Sequence, residues 1–317
     1  MDISDYEKIF RNWHVVSPIL CEEIQEPARA EQPALSTTFV DTNKDRWSLE
    51  RIAEETYSRK LSIAETLELL ENQGCNQIHP YKRNSLGQFI TAYSGQLFML
   101  RPQIKGIAMP LDTWNSEGWR PDAMADFIIS LHQTAAGISI PNDGKAYAII
   151  DFVKRKTEAF DRHRPEVSDS LNRVFHVLED SLFPALSSLP TAFCHGDFNP
   201  MNIVWGTEVI RSVTHWELCG FKPEAYDAAL IVGCIGFHNP DMLISDFTTR
   251  FIRRLRDAAL YTEGTWEIFY ELVIATRYGW LSEWMYTHDE KSRDLETLYM
   301  NLLVTQKNYI LKKWELA

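Results

Sequence analysis

The residues best suited to chemistry lie in the run Phe193-Cys194-His195-Gly196-Asp197-Phe198-Asn199-Pro200-Met201-Asn202-Ile203-Val204-Trp205. An apolar strand stops at His195, a tight loop presents Asp197, and Asn202 follows five residues later, before a second apolar strand. Phosphoryl transfer needs a loop of this kind. A carboxylate accepts or orients the proton of an attacking hydroxyl, and a nearby amide oxygen holds a metal bound to the phosphates. The plainer reading is a turn in which Gly196, Asn199 and Pro200 only reverse the chain. The fixed asparagine and the two flanking strands favour the chemical reading. His195, Asp197 and His215 also supply donors for zinc or iron on another scaffold, but the spacing is explained more economically by the phosphoryl-transfer loop.

Such a loop must be held by larger elements. From Asp5 to Ile24, Ile9, Trp13 and Val16 recur at helical spacing. Ser36–Asp41 and Arg46–Ile52 read as strands joined by a polar turn. Ser62 to Gln73 reads as a helix with Ser62 as N-cap, Ile63, Leu67 and Leu70 on one face, and Gly74 as its stop. Gln88–Tyr93 and Gln96–Pro102 are further strands around Ser94-Gly95. Helices are predicted over Pro121–Ala136, Tyr147–Phe160 and Val167–Leu189, and strands between Thr191 and Thr214. From Glu224 onward the chain reads as helical, interrupted near Asn239-Pro240. These patterns predict an α+β fold with a strand-rich lobe over 1–102 and a helical lobe over 103–317 that carries the loop 195–202. The aromatic series Trp266, Tyr270, Tyr278, Trp280 and Trp284, with Glu271, Arg277 and Glu283, reads as packing between helices.

Composition narrows the function. The 317 residues carry 32 basic against 44 acidic side chains, a net charge of −12. That balance disfavours nucleic acid and anionic membranes as partners. It suits a cationic acceptor such as an amino sugar, choline or another amine. Aromatic residues at 12%, ten of the residues being Trp, argue against disorder. The longest apolar run, Ala228 to Phe237, is about half a membrane span. The acidic start Met1-Asp2-Ile3-Ser4-Asp5 lacks the features of a signal peptide. Cys21, Cys75, Cys194, Cys219 and Cys234 form no CxxC pair and fit reduced thiols, so a cytoplasmic protein is expected.

The run His195-Gly196-Asp197-Phe198-Asn199-Pro200-Met201-Asn202 resembles the HGDxxxxN loop of the aminoglycoside phosphotransferase and choline-kinase-like families, within the protein-kinase-like fold. Val213-Thr214-His215-Trp216-Glu217, followed by Pro223-Glu224-Ala225-Tyr226-Asp227-Ala228-Ala229, resembles the IDWE…P…YDLA stretch. Ser130-Leu131-His132 matches the helix ending in LH, and Phe98 to Gly106 matches the hinge. The resemblance spans roughly residues 36 to 237. It implies a small antiparallel-sheet N-lobe, a large helical C-lobe, and transfer of the γ-phosphoryl group of ATP, with magnesium or manganese, to a hydroxyl of a small molecule. Asp197 is then the catalytic base, Asn202 a metal ligand, and His195 and Asp227 braces of the loop. Arg101 to Lys105, Gln103 included, offer backbone groups to adenine.

The departures from the family pattern matter as much. His215 stands where the family has a metal-binding Asp, and imidazole brings no charge to a hard cation. Glu217, read as adjacent to the replaced position on a strand, is expected to point to the opposite face, a poor substitute. Glu50 falls where a Lys or Arg usually reaches the phosphates, with Arg51 one residue late and available through a bulge. Ile63 falls where the partner Glu belongs, leaving Glu65 or Glu68 as candidates. No glycine-rich phosphate loop exists, so Ser36 and Thr37 would contact phosphate through hydroxyls and amides. A different class of function follows from these losses: a pseudokinase-like binding or scaffold protein with little turnover.

Overall fold

Alternating apolar residues over 35–52 and 96–102 build the sheet that the sequence predicts. The computed structural model describes residues 3–16, 18–22, 35–107, 114–140, 149–163 and 165–316. Helix α1 (Ile3–Phe10) leads through a short 3-10 turn, Arg11–Trp13, that ends on His14 at φ 57°. Strands β1 (Ile19–Glu22), β2 (Leu35–Val40) and β3 (Arg46–Ile52) follow, then α2 (Tyr57–Asn72), β4 (Thr91–Tyr93) and β5 (Gln96–Pro102). They form an antiparallel sheet in the order β1-β2-β3-β5-β4. The helical spacing predicted through Ile24 therefore ends early, because Ile19–Val40 pairing takes that stretch into the sheet. Likewise α2 begins at Tyr57, so Ser62 lies inside it and is not its cap. Gly74, at φ 96°, does stop it.

The register sorts the sheet into two unlike faces. Phe39, Leu49, Phe98 and Leu100 pack against Ile9, Phe10, Trp13 and Val15. The opposite face carries Ser36, Thr38, Arg46, Ser48, Glu50, Met99, Arg101 and Gln103, as the pairs Ser36↔Glu50, Thr38↔Ser48, Glu50↔Met99 and Ser48↔Arg101 require.

The remaining elements are α3 (Arg120–Ala136), α4 (Ile149–His163), α5 (Pro165–Leu186), β6 (Thr191–Cys194), β7 (Ile203–Gly206), β8 (Val209–Val213), β9 (Gly220–Pro223), α6 (Tyr226–Ile235), α7 (Asp246–Asp257), α8 (Glu263–Glu267), α9 (Phe269–Tyr286) and α10 (Glu290–Lys313). β6 pairs with β9 and β7 with β8. α9 packs on α6 and α10, with Tyr270, Leu272, Tyr278, Met300 and Leu303 buried. Arg277 and Glu296 form a buried ion pair there at 2.7 Å, and Tyr270 donates to the Leu303 carbonyl. The aromatic series is thus largely packing, as its spacing suggests. No helix among the described residues is long and apolar enough to cross a membrane.

The chain divides into two compact units. One comprises Met1–Ile107, Val204–Gly206 and Arg211–Glu217; the other comprises Ala108–Ile203, Thr207–Ile210 and Leu218–Ala317.

Candidate active site

In the second unit, β6 delivers the chain to His195 and the run then turns sharply. The turn is pinned from inside. The buried Asp227 carboxylate, near the start of α6, accepts the His195 N–H at 2.6 Å and the Gly196 N–H at 2.8 Å. Burial pushes the Asp227 pKa up to about 6 despite these two donors and nearby Lys222. His195 Nδ1 in turn accepts the Asp197 backbone N–H at 3.2 Å, which leaves the proton of the neutral ring on Nε2. Both residues brace the loop, as the resemblance implies. Gly196 sits at φ 83°, and a Cβ there would lie 2.1 Å from the Leu218 carbonyl oxygen. Gly196→Ala is therefore expected to cost at least about 2 kcal/mol through clash and backbone strain. Urea denaturation measures it, and an unchanged midpoint would mean that the turn adapts.

The loop then fixes one carboxylate. Asn199 Nδ2 donates to Asp197 Oδ1 at 2.9 Å, and Asn202 Nδ2 donates to Asp197 Oδ2 at 2.6 Å. Both amides also donate to the Asp197 carbonyl, at 3.1 and 2.8 Å. Asn199 Oδ1 accepts the Met201 N–H and caps the short helical turn Pro200–Asn202. Phe198 stacks on Phe127 of α3, with ring centroids 5.0 Å apart. Asn199, which the sequence marks only as a turn former, is thus a second clamp on Asp197. Its place in the middle of an Asp…Asn frame is the signal that could have identified it.

The first unit holds a cavity of about 200 Å3, lined among others by Ser48, Tyr81, Arg101, Gln103, His215 and Glu217. Here the structure corrects several expectations. β8 ends at Val213, His215 takes φ 64°, and Trp216–Leu218 is a 3-10 turn. Glu217 lines the same cavity as His215, against the expected opposite-face placement. The two stand two residues apart, and residues two apart share a face even on a continuous strand.

Arg51 is exposed on the Leu49 side of β3, and the β2–β3 and β3–β5 pairings run past it without a bulge to turn it inward. Thr37 falls on that same side, while Ser36 faces the polar side with its hydroxyl on Ser48 Oγ. Gln103 commits its backbone N–H to the Arg46 carbonyl and its side chain to Arg46 and Thr38. Arg101 sits opposite Ser48 in the ladder. Both residues line the cavity.

The acids expected as partners of Arg51 are placed elsewhere: Glu65 is exposed and Glu68 binds Arg83. The ion pair to Glu50 comes from Lys60, whose Nζ lies 2.9 Å from Glu217 Oε1 as well. Tyr81 donates to the other Glu50 oxygen at 2.6 Å. Burial works to lower the Lys60 pKa, but Tyr81, Glu50 and Glu217 outweigh it and hold the ammonium charged. Burial likewise pushes Glu217 up, yet Lys60, His215 and Arg101 hold it down at about 2 against an ordinary 4.5. A carboxyl lowered on folding stabilises above its unfolded pKa, and that contribution disappears as pH falls from about 4.5 toward 2. Melting temperature is therefore expected to fall less over this window in Glu217→Gln than in the parent. Parallel curves would dissociate Glu217 from acid stability.

Among the described residues no group of three or more His, Cys, Asp and Glu side chains could hold a metal. The zinc or iron alternative on His195, Asp197 and His215 is set aside accordingly.

The phosphotransferase enzyme family profile matches residues 34–272. No curated protein sequence matches the chain. Solved structures do resemble it. An aminoglycoside phosphotransferase from Alicyclobacillus acidocaldarius aligns at TM-score 0.63 and 12% identity, over 96% of this chain and 93% of that one. An amicoumacin kinase in complex with AMP-PNP, Ca2+ and Ami aligns at TM-score 0.69 and 12% identity, over 94% and 91%. A choline/ethanolamine kinase family protein from Mesorhizobium loti aligns at TM-score 0.60 and 11% identity, over 95% and 93%. These likenesses establish a kinase-like α+β fold.

Proposed function

Because the chain belongs to the phosphotransferase enzyme family, we propose that it moves the γ-phosphoryl group of ATP to a hydroxyl of a small molecule, with Asp197 as the base. The observation that carries this reading is the clamped carboxylate. Asp197 is held on one oxygen by Asn199 and on the other by Asn202, on a turn anchored to Asp227. A group fixed in that way can orient an incoming hydroxyl and take its proton as the phosphoryl group arrives, without rearranging during the reaction. The family match lends no support to the binding-only alternative.

Magnesium fits the donors poorly. His215 offers nitrogen where a hard cation prefers carboxylate oxygen, so no step is assigned to a metal. Asn202 is the residue whose amide oxygen would serve one, and manganese accepts imidazole more readily.

The test is a thermal-shift titration with ATP, alone and with magnesium or manganese, followed by ATP consumption against a panel of amine-bearing alcohols. A ligand that binds only the folded state at about 100 times its Kd adds about 2.7 kcal/mol. A rise in melting temperature with ATP and acceptor-dependent ADP release are expected. No shift at millimolar nucleotide would end the proposal.

A further inference from the structure

The first unit contains a buried ammonium whose position the proposed chemistry does not yet use. Lys60 lies on the inward stripe of α2 with Ile63, Leu67 and Leu70, and Ile63 and Leu67 line the cavity. Its side chain is 4% exposed and spans two carboxylates, Glu50 on β3 and Glu217 in the turn after His215. Glu217, which binds Lys60, and Tyr81, which binds Glu50, also line the cavity.

An ammonium has three N–H donors, and Glu50 and Glu217 each take one. Two carboxylates around one ammonium are left with excess negative charge, which Arg101, close enough to depress Glu217, offsets. We propose that Lys60 is the cation that receives the nucleotide phosphates in this protein, its third N–H going to a phosphate oxygen, with Glu50 and Glu217 as positioning residues. This rests on the phosphotransferase reading.

The polarity of the pair explains how a strand acid can stand where a phosphate-binding base is expected. Exchanging the two ends of an ion pair moves the positive charge by only about one donor–acceptor distance, ~3 Å. The cation then comes from the helix and its anchor from the strand. A charge-assisted contact to phosphate survives the exchange, provided the acid that remains is itself neutralised. Here Glu50 is paired with the Lys60 ammonium on one oxygen and accepts a hydrogen bond from the Tyr81 hydroxyl on the other.

The experiment compares ATP with adenosine, which shares the base and sugar but not the phosphates. Both are titrated calorimetrically into the parent protein, Lys60→Arg, the neutral pair Glu50→Gln/Lys60→Met, and the exchanged pair Glu50→Lys/Lys60→Glu. The neutral pair is expected to lose at least about tenfold in ATP affinity and less than about twofold in adenosine affinity. Lys60→Arg and the exchanged pair are expected to keep ATP affinity within about threefold. A folded neutral pair that binds ATP like the parent overturns the proposal. So does an exchanged pair that folds and binds adenosine but no longer prefers ATP.

A second readout needs no substitution. In 15N-lysine-labelled parent protein, the Lys60 Nζ signal is expected to shift with AMP-PNP and not with adenosine, and an unmoved signal overturns the proposal. If the parent protein binds neither ATP nor adenosine, the phosphotransferase reading itself falls. ATP binding that is indifferent to Lys60 removes this inference alone.

Discussion

Asp197→Asn is expected to lower kcat by about 100- to 10,000-fold, the range that a positioned general base contributes. ATP affinity should change little, and the melting temperature should fall modestly, because the new amide NH2 faces one of the two donors. The substitution is nearly isosteric, and its amide oxygen can still accept from Asn199 or Asn202, which now hold Asp197 at 2.9 and 2.6 Å. It removes the capacity to take a proton. Steady-state kinetics with whichever alcohol supports turnover, beside an ATP titration, separates the outcomes. A fall in kcat with unchanged nucleotide binding assigns the proton to Asp197. A fall confined to ATP affinity would make the loop a binding element and remove Asp197 from the chemistry.

The largest effect on stability is expected from Asp227. Asp227→Ala strips the acceptor from two buried backbone donors, the N–H groups of His195 and Gly196. Leaving a buried donor unpaired costs about 1–3 kcal/mol. The pair therefore represents about 2–6 kcal/mol, a large share of the 5–15 kcal/mol that holds a typical domain together. Asp227→Asn retains one good acceptor and is expected to cost less. The two differ in pH response as well. Folding raises the Asp227 pKa from 3.8 to about 6, so the native state holds its proton more tightly than the unfolded chain. Stability from this group accordingly declines as pH rises through that window. Denaturant midpoints measured from pH 4 to 7 should show that decline in the parent and lose it in Asp227→Asn. An equal slope in both would assign the titration elsewhere.

How much of this was legible in the sequence depended on how local each feature is. The loop 195–202 was legible because its glycine, aspartate and asparagines interact within a few residues of one another, so spacing alone encodes geometry. Strands β2, β3 and β5 were legible because alternation reports a two-faced sheet. Lys60 was not. Its partners Glu50 and Glu217 are brought to it only by tertiary structure, and a lysine is a poor guess for a buried position. A helix start placed at Ser62 also cut off the turn that carries it, although extending the Ile63–Leu67–Leu70 stripe back by three residues reaches Lys60. Glu217 was misplaced by treating it as the immediate neighbour of His215. Trp216 lies between them, and strand alternation puts residues two apart on one face. Arg51 and Thr37 failed on parity, since one residue of register changes the face a side chain occupies.

The interleaved path of the first unit constrains its biogenesis. Val204–Gly206 and Arg211–Glu217 belong with Met1–Ile107, so a ribosome releases the opening segment well before the last pieces of that unit exist. Lys60 and Glu50 then emerge without Glu217, their cavity-side counterpart. Vectorial folding of the kind seen in beads-on-a-string proteins does not suit such a layout. A truncated 1–107 polypeptide lacks two segments of its own unit, which is complete only once residue 217 has been made.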